Sequence, residues 1–324
     1  MPLLDIHAHI LPHVFLDMVN SGIIIDGVSL VHRANGTIAV DFPAGAHPCS
    51  PVFYDEHAQL ALMDEHGIDL QAISGSPRLF FYEMPAKTAS MLCRLFNDEI
   101  LQRCRLHSSR FLPIGGLPMQ DPHASVAEIR RLAQNGVQMV QVGTSVAGLP
   151  LDDARFLPVF EAAEEMGMAI MLHPLITGGG PLARAHHLSN VADNPYQTML
   201  AASSLIAGGV FDRFGGLQVM LVHGGGYLPY QAGRLDHAFH VRPAGEFSCR
   251  REPSSYIRSN LWFDALVFRP EALNLLLSMA GEDRICYGTD APYDMADYAQ
   301  LERFTSRLAR DKAAFENAKS LLGL

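Results

Sequence analysis

Val219-Met220-Leu221-Val222-His223-Gly224-Gly225-Gly226 sets a continuous apolar run against an abrupt polar stop. A strand with one wet face alternates apolar and polar residues, whereas an unbroken run is expected of a strand buried on both faces of a parallel sheet. Leu157-Pro158-Val159-Phe160-Glu161-Ala162-Ala163-Glu164-Glu165-Met166 is its complement, with the apolar stripe of a helix that covers such a sheet. Working outward, short apolar or β-branched runs recur at 2–6, 69–74, 110–115, 137–142, 168–172, 217–222, 260–264 and 284–288. Helical patterns fall at about 56–66, 87–107, 122–135, 155–166, 195–209, 228–240, 270–280 and 297–310. Eight alternating units predict an α/β fold of the (β/α)8 TIM-barrel type, with right-handed crossovers. A doubly wound open sheet is the runner-up, but no Gly-x-Gly-x-x-Gly turn follows the first strand.

The chain is read as a single barrel domain over 1–324, a length that such barrels reach as one unit. A stretch of about 12–55 separates the first strand from its helix and is expected to form a small β-rich insertion capping the barrel mouth. Ala34-Asn35-Gly36-Thr37 carries a hairpin-turn signal within it. Residues of about 312–324 are expected to form a C-terminal helix. With 48% hydrophobic and 18% charged residues, the composition is that of a soluble protein with a large core. Neither a transmembrane run nor a signal-peptide pattern is visible, so a cytoplasmic location with no membrane partner is expected. A net charge of −10 argues against nucleic acid as a partner. The five cysteines (Cys49, Cys93, Cys104, Cys249, Cys286) show no Cys-x-x-Cys spacing and read as reduced thiols.

In a barrel of this type the chemistry sits at the C-terminal ends of the strands. The polar outliers fall there: His7 and His9 after strand 1, His173 after strand 5, His223 after strand 6 and Asp290 after strand 8. His7 and His9 stand two residues apart, which on a strand points both imidazoles to one face, as ligation of one metal ion requires. Three histidines and an aspartate suit one divalent ion, Zn²⁺ first and Mn²⁺ or Fe²⁺ as alternatives, with a position left for water. The fourth histidine is either a further ligand or the general base that takes a proton from that water, and His223 is taken as the base. The remaining histidines, including His186, His187, His237, His240, His107 and His123, read as surface or supporting residues. The only lysines are Lys87, Lys312 and Lys319, so none follows strand 4 to bridge two metals, and a mononuclear centre is expected.

In this order, several motifs resemble the amidohydrolase superfamily, in its metal-dependent decarboxylase branch related to aminocarboxymuconate-semialdehyde decarboxylase. They are Asp5-Ile6-His7-Ala8-His9-Ile10-Leu11-Pro12, Leu117-Pro118-Met119-Gln120, Val140-Gln141-Val142-Gly143-Thr144, Gly208-Gly209-Val210-Phe211, His223-Gly224-Gly225-Gly226, Gly233-Arg234 and Gly288-Thr289-Asp290. The resemblance implies metal ligation by His7, His9, His173 and Asp290, with His223 activating the metal-held water and Asp290 sharing in catalysis. It implies that Arg234 binds a substrate carboxylate, in relatives by reaching across a homodimer interface. Two departures mark this chain. Thr37-Ile38-Ala39-Val40-Asp41-Phe42 lacks the second substrate arginine that those decarboxylases carry after strand 1, and Leu175 stands where they place an aromatic residue after the His-Pro of strand 5. Arg78, at the end of strand 2, is a candidate replacement, because a guanidinium grips a carboxylate through two parallel hydrogen bonds.

The expected activity is that of a lyase: non-oxidative decarboxylation of a small unsaturated or aromatic carboxylic acid, as in the catabolism of aromatic compounds. The alternative on the same site is a metal-dependent hydrolase of a C–C bond or a lactone, or a hydratase. A non-catalytic binding protein on a barrel scaffold is a third reading, which the full set of candidate ligands, base and arginine argues against. His-Gly-Gly-Gly also suggests the oxyanion loop of a serine hydrolase, but no Gly-x-Ser-x-Gly occurs in the chain.

Overall fold

The strands of the described residues are, in chain order, β1 (Leu4–Ile10), β2 (Ser29–His32), β3 (Ile38–Phe42), β4 (Gly45–Cys49), β5 (Leu70–Gly75), β6 (Phe111–Gly116), β7 (Met139–Gly143), β8 (Ala169–His173), β9 (Val219–Leu221), β10 (Leu261–Asp264) and β11 (Ile285–Cys286). The α-helices are α1 (His13–Asn20), α2 (Glu56–Glu65), α3 (Ala86–Leu106), α4 (Pro122–Gln134), α5 (Leu157–Glu165), α6 (Asn194–Ala207), α7 (Val210–Arg213), α8 (Leu228–Val241), α9 (Ser255–Ser259), α10 (Pro270–Ala280), α11 (Arg307–Asp311) and α12 (Asn317–Leu321). They come from a computed structural model that describes residues 2–22, 25, 27–32, 38–43, 45–176 and 183–324.

Eight strands form one parallel sheet in the order β1-β5-β6-β7-β8-β9-β10-β11. Backbone bonds then join the last strand's continuation to the first: Ile6 N–H donates to Tyr287 O at 3.0 Å, Asp290 N–H to His7 O at 2.7 Å and His9 N–H to Ala291 O at 2.7 Å. The sheet therefore closes into the expected barrel. Closure is reinforced inside by Asp5, whose carboxylate accepts from the Thr289 backbone N–H at 2.9 Å and the Thr289 hydroxyl at 2.6 Å.

Two apolar layers follow from the period of two along each strand. Val140, Val142, Leu172, Leu221 and Phe263 pack outward against helix residues such as Ile129, Phe160, Leu205 and Leu273. Their neighbours Met139, Met171 and Met220 join Leu4, Ile6 and Ile114 in a second cluster, which Ala318 and Leu321 of α12 close together with Leu322 just after it. Since Leu4 and Met139 begin their strands, this plug lies at the N-terminal end of the barrel. The opposite end is left for polar residues. No helix among the described residues is long and apolar enough to cross a membrane.

All eight expected barrel strands are present, with adjustments at the first strand, in the stretch that follows it and near the C-terminus. The first strand runs to Ile10, because its pairing with β5 continues to Gly75, so His7 and His9 lie within β1 rather than after it. The stretch between β1 and α2 holds α1 as well as the antiparallel sheet β2-β3-β4. Phe15 of α1 packs with Val40, Phe42 and Phe53 in a local core, and the hairpin-turn residues 34–37 lie outside the described residues. The helix expected at 297–310 is broken into a 3-10 turn (Gln300–Arg303) and α11, and the C-terminal helix opens with a π-turn (Lys312–Glu316).

Candidate metal centre

The five residues reach the barrel mouth from four local settings. His7 and His9 stand on β1, and the pairing register with β5 slips between Asp5 and Ala8, an irregularity of the kind that re-aims side chains beside active sites. His173 is the last residue of β8. His223 follows β9 in a 3-10 turn with φ of +55°, and Asp290 follows β11 with φ of +63°. A left-handed backbone at two non-glycine residues is held against its cost by the surrounding contacts.

Their outer nitrogens are committed elsewhere. His7 Nδ1 meets the Asp264 carboxylate at 2.9 Å, so it carries the proton. His173 Nδ1 donates to Pro174 O at 2.9 Å. The Ser74 hydroxyl donates to Ala8 O at 3.2 Å and so accepts from His9 Nδ1 at 3.0 Å. With Nδ1 protonated in all three rings, three Nε2 lone pairs turn inward. His7 Nε2 and His9 Nε2 lie 3.1 Å apart, and the Asp290 carboxylate stands 3.4 Å from the first and 3.1 Å from the second. His173 Nε2 and Asp290 Oδ1 are buried without a hydrogen-bond partner. Lone pairs and a carboxylate gathered in a dry site repel one another unless a cation sits among them. The donor set fits a divalent ion. Ligand atoms of His7, His173, His223 and Asp290 lie within 4.8 Å of one another, so His223 is also within reach of it.

The site's own charges fall on one another: burial lowers the pKa of His7, but the Asp290 and Asp264 carboxylates outweigh it and raise it, whereas burial lowers that of His9. Burial, helped by the neighbouring His9 and His223, pushes His173 well below its usual range, so its ring is neutral and ready to ligate. Burial would raise the Asp290 pKa, but His7, His223 and His9 outweigh it and hold the carboxyl well below the usual carboxylate range.

Asp264, the last residue of β10, is a supporting residue the sequence reading did not single out. Besides His7 Nδ1, its carboxylate accepts from the backbone N–H groups of His223 at 2.9 Å, Gly224 at 2.7 Å and Leu266 at 3.2 Å. It thus fixes one ligand's tautomer and the turn that presents His223. The signal was present, since an aspartate closing the seventh barrel strand obeys the rule that picked out the others. Ser74 and Tyr293 were missed as well. The Tyr293 ring packs on His9 with centroids 5.4 Å apart, and its hydroxyl lies 2.7 Å from Ser76 Oγ.

His173, His223 and Asp290 open into a cavity of about 440 Å³ that Arg78, His187 and Tyr293 also line. Arg78 Nη1 donates to Gly45 O at 2.9 Å and the guanidinium lies over the Phe42 ring. Among the described residues it faces no carboxylate within ion-pair distance. Arg234, by contrast, is exposed on α8 and lines no part of this cavity.

The sequence profile described as Amidohydrolase matches residues 4–324. The chain is 31% identical over 337 residues to the 2-amino-3-carboxymuconate-6-semialdehyde decarboxylase of Dictyostelium discoideum, spanning 99% of this chain and 91% of that protein. It is 26% identical over 284 residues to the gamma-resorcylate decarboxylase of Polaromonas sp. JS666, spanning 82% and 86% respectively. Among solved structures, the IDCase of Metarhizium anisopliae in apo form is similar with a TM-score of 0.85 and 25% identity, over 99% of this chain and 97% of that one.

Proposed function

The chain belongs to the amidohydrolase family, and from that premise we propose that it is a metal-dependent, non-oxidative decarboxylase of a small unsaturated or aromatic carboxylic acid. The observation that carries this reading is the gathering of His7, His9, His173 and His223 around Asp290, beside a cavity that presents the Arg78 guanidinium. His7, His9, His173 and Asp290 are assigned as ligands of one ion, with Zn²⁺ proposed for this nitrogen-rich set and Mn²⁺ or Fe²⁺ as alternatives. When bound, the ion supplies Lewis-acid stabilisation of negative charge at an oxygen it holds.

The chain's own residues supply the rest. His223 Nε2 lies 3.5 Å from Asp290 Oδ2 with its side chain 17% exposed, at the boundary between the buried cluster and the cavity. We assign to it the proton that ends on the substrate carbon. The C–C bond to the carboxylate breaks, its electron pair stays on that carbon and takes the proton, and CO₂ departs. Arg78 holds an acidic oxygen of the substrate and offsets its charge, which a protein of net charge −10 otherwise repels. Arg234, exposed on α8, is assigned to a neighbouring subunit's site in a homodimer.

The test is incubation of the metal-loaded protein with candidate acids while released CO₂ is trapped and the product identified. Stoichiometric CO₂ is expected. A hydrolysis or hydration product without CO₂ would replace the lyase reading with the hydrolase or hydratase alternative. Elemental analysis is expected to find about one divalent ion per chain, the outcome for a barrel with no lysine to bridge two metals, and two tightly held ions would overturn the mononuclear assignment.

A further inference from the structure

A second cavity, of about 310 Å³, adjoins the first and differs from it in chemistry. The two share Asn190, Asn194, His223 and Asp290 as a common wall. On one side of that wall stand Arg78, Ser50, Tyr293 and Asp294. On the other stand Val191, Pro195, Leu266, Val267, Phe268 and Met295, and beyond the shared wall this lobe has no charged side chain among the described residues. Val191 and Phe268 are 53% and 45% exposed. Apolar surface left open beside two acid–base groups marks a place where a ligand completes the burial.

We propose that the substrate is a two-ended acid: its acidic end faces Arg78, and an alkyl or aryl substituent of at least two carbons fills the apolar lobe. This rests on the decarboxylase reading and narrows its substrate class. Size permits it, since an apolar cavity of about 150 Å³ already accommodates a benzene ring. Continuity supports a ligand group over a separate partner, because His223 and Asp290 line both lobes and the reacting carbon must lie between them. A charged substituent would lose its hydration in the second lobe and find no charged partner beyond the shared wall.

The test uses benzoate and the three positional isomers of propylbenzoate, titrated into the metal-loaded protein by calorimetry. At least one isomer should bind about tenfold or more tightly than benzoate, the gain expected from burying added methylenes. Ala272→Phe, at an exposed position of α10 that lines the lobe, should remove that advantage. Equal or weaker binding of every isomer, or an advantage that survives Ala272→Phe, would overturn the proposal. Released CO₂ is assayed separately on the same acids and their hydroxylated counterparts. Tighter binding of an isomer with no CO₂ from any acid would support the two-lobed site while overturning the decarboxylase reading.

Discussion

Asp264 concentrates the chemistry of the site in one carboxylate. Its four acceptor contacts fall on His7 Nδ1 and on the backbone of His223, Gly224 and Leu266, so one residue holds a ligand and the acid–base turn together. Asp264→Asn keeps the shape but turns an NH₂ group toward N–H donors, leaving donors facing one another. Metal affinity is expected to fall about 10–100-fold, as for other partners of ligating histidines. Competition with a chromophoric chelator measures it, and unchanged affinity would remove Asp264 from the support of the centre. Turnover should remain low at saturating metal, because the His223 turn is loosened as well. His223→Ala separates the two roles. It is expected to retain about one ion per chain while turnover drops about 10²–10⁴-fold, the usual worth of a positioned proton-transfer group. Loss of the ion instead would make His223 a ligand, which its place in the cluster permits.

At the scale of elements, the turn after β9 explains why three glycines follow His223. Gly226 has φ of +60°, and a Cβ built there would meet Pro195 O at 2.2 Å, against the first turn of α6. Neither the backbone nor that carbonyl yields cheaply. Gly226→Ala is expected to destabilise the fold by about 2 kcal/mol or more, read as a lower urea midpoint at unchanged slope. A change under about 0.5 kcal/mol would show that the turn relaxes. This element also shows what was legible beforehand. Val219-Met220-Leu221-Val222 betrays a strand buried on both faces because period and composition are local properties, and the residues at strand ends then follow from the barrel rule. The inserted region was legible only in part. Phe15 gives α1 its anchor, but that helix is short and its apolar residues meet Val40 and Phe42 from a separate strand, a pairing no local pattern encodes. The extension of β1 to Ile10 escaped for a related reason. Polar His7 and His9 end an apolar run locally, yet their side chains are satisfied by Asp264 and Ser74, which lie far away in sequence.

The whole molecule divides its labour between the two ends of the barrel. Polar residues of unusual backbone and committed hydrogen bonds crowd the C-terminal ends of the strands, while Ala318 and Leu321 of α12, with Leu322 just after it, seal the opposite end against Leu4 and Met139. A perturbation at the base should therefore change stability without altering the metal centre, the inverse of Asp264→Asn. Ala318 is fully buried in that plug. Ala318→Asp would place a carboxylate among methionine and leucine side chains, where desolvation costs roughly 3 kcal/mol or more. The melting temperature is expected to fall accordingly. Stability should recover in part as the pH is lowered toward the raised pKa of the new carboxyl, because protonation removes the buried charge. At a temperature where the variant is still folded, its metal content and affinity should match those of the parent. A parallel loss of affinity would mean that strain at the base travels along the strands to the mouth, and that the barrel responds as one cooperative unit rather than as two ends with separate tasks.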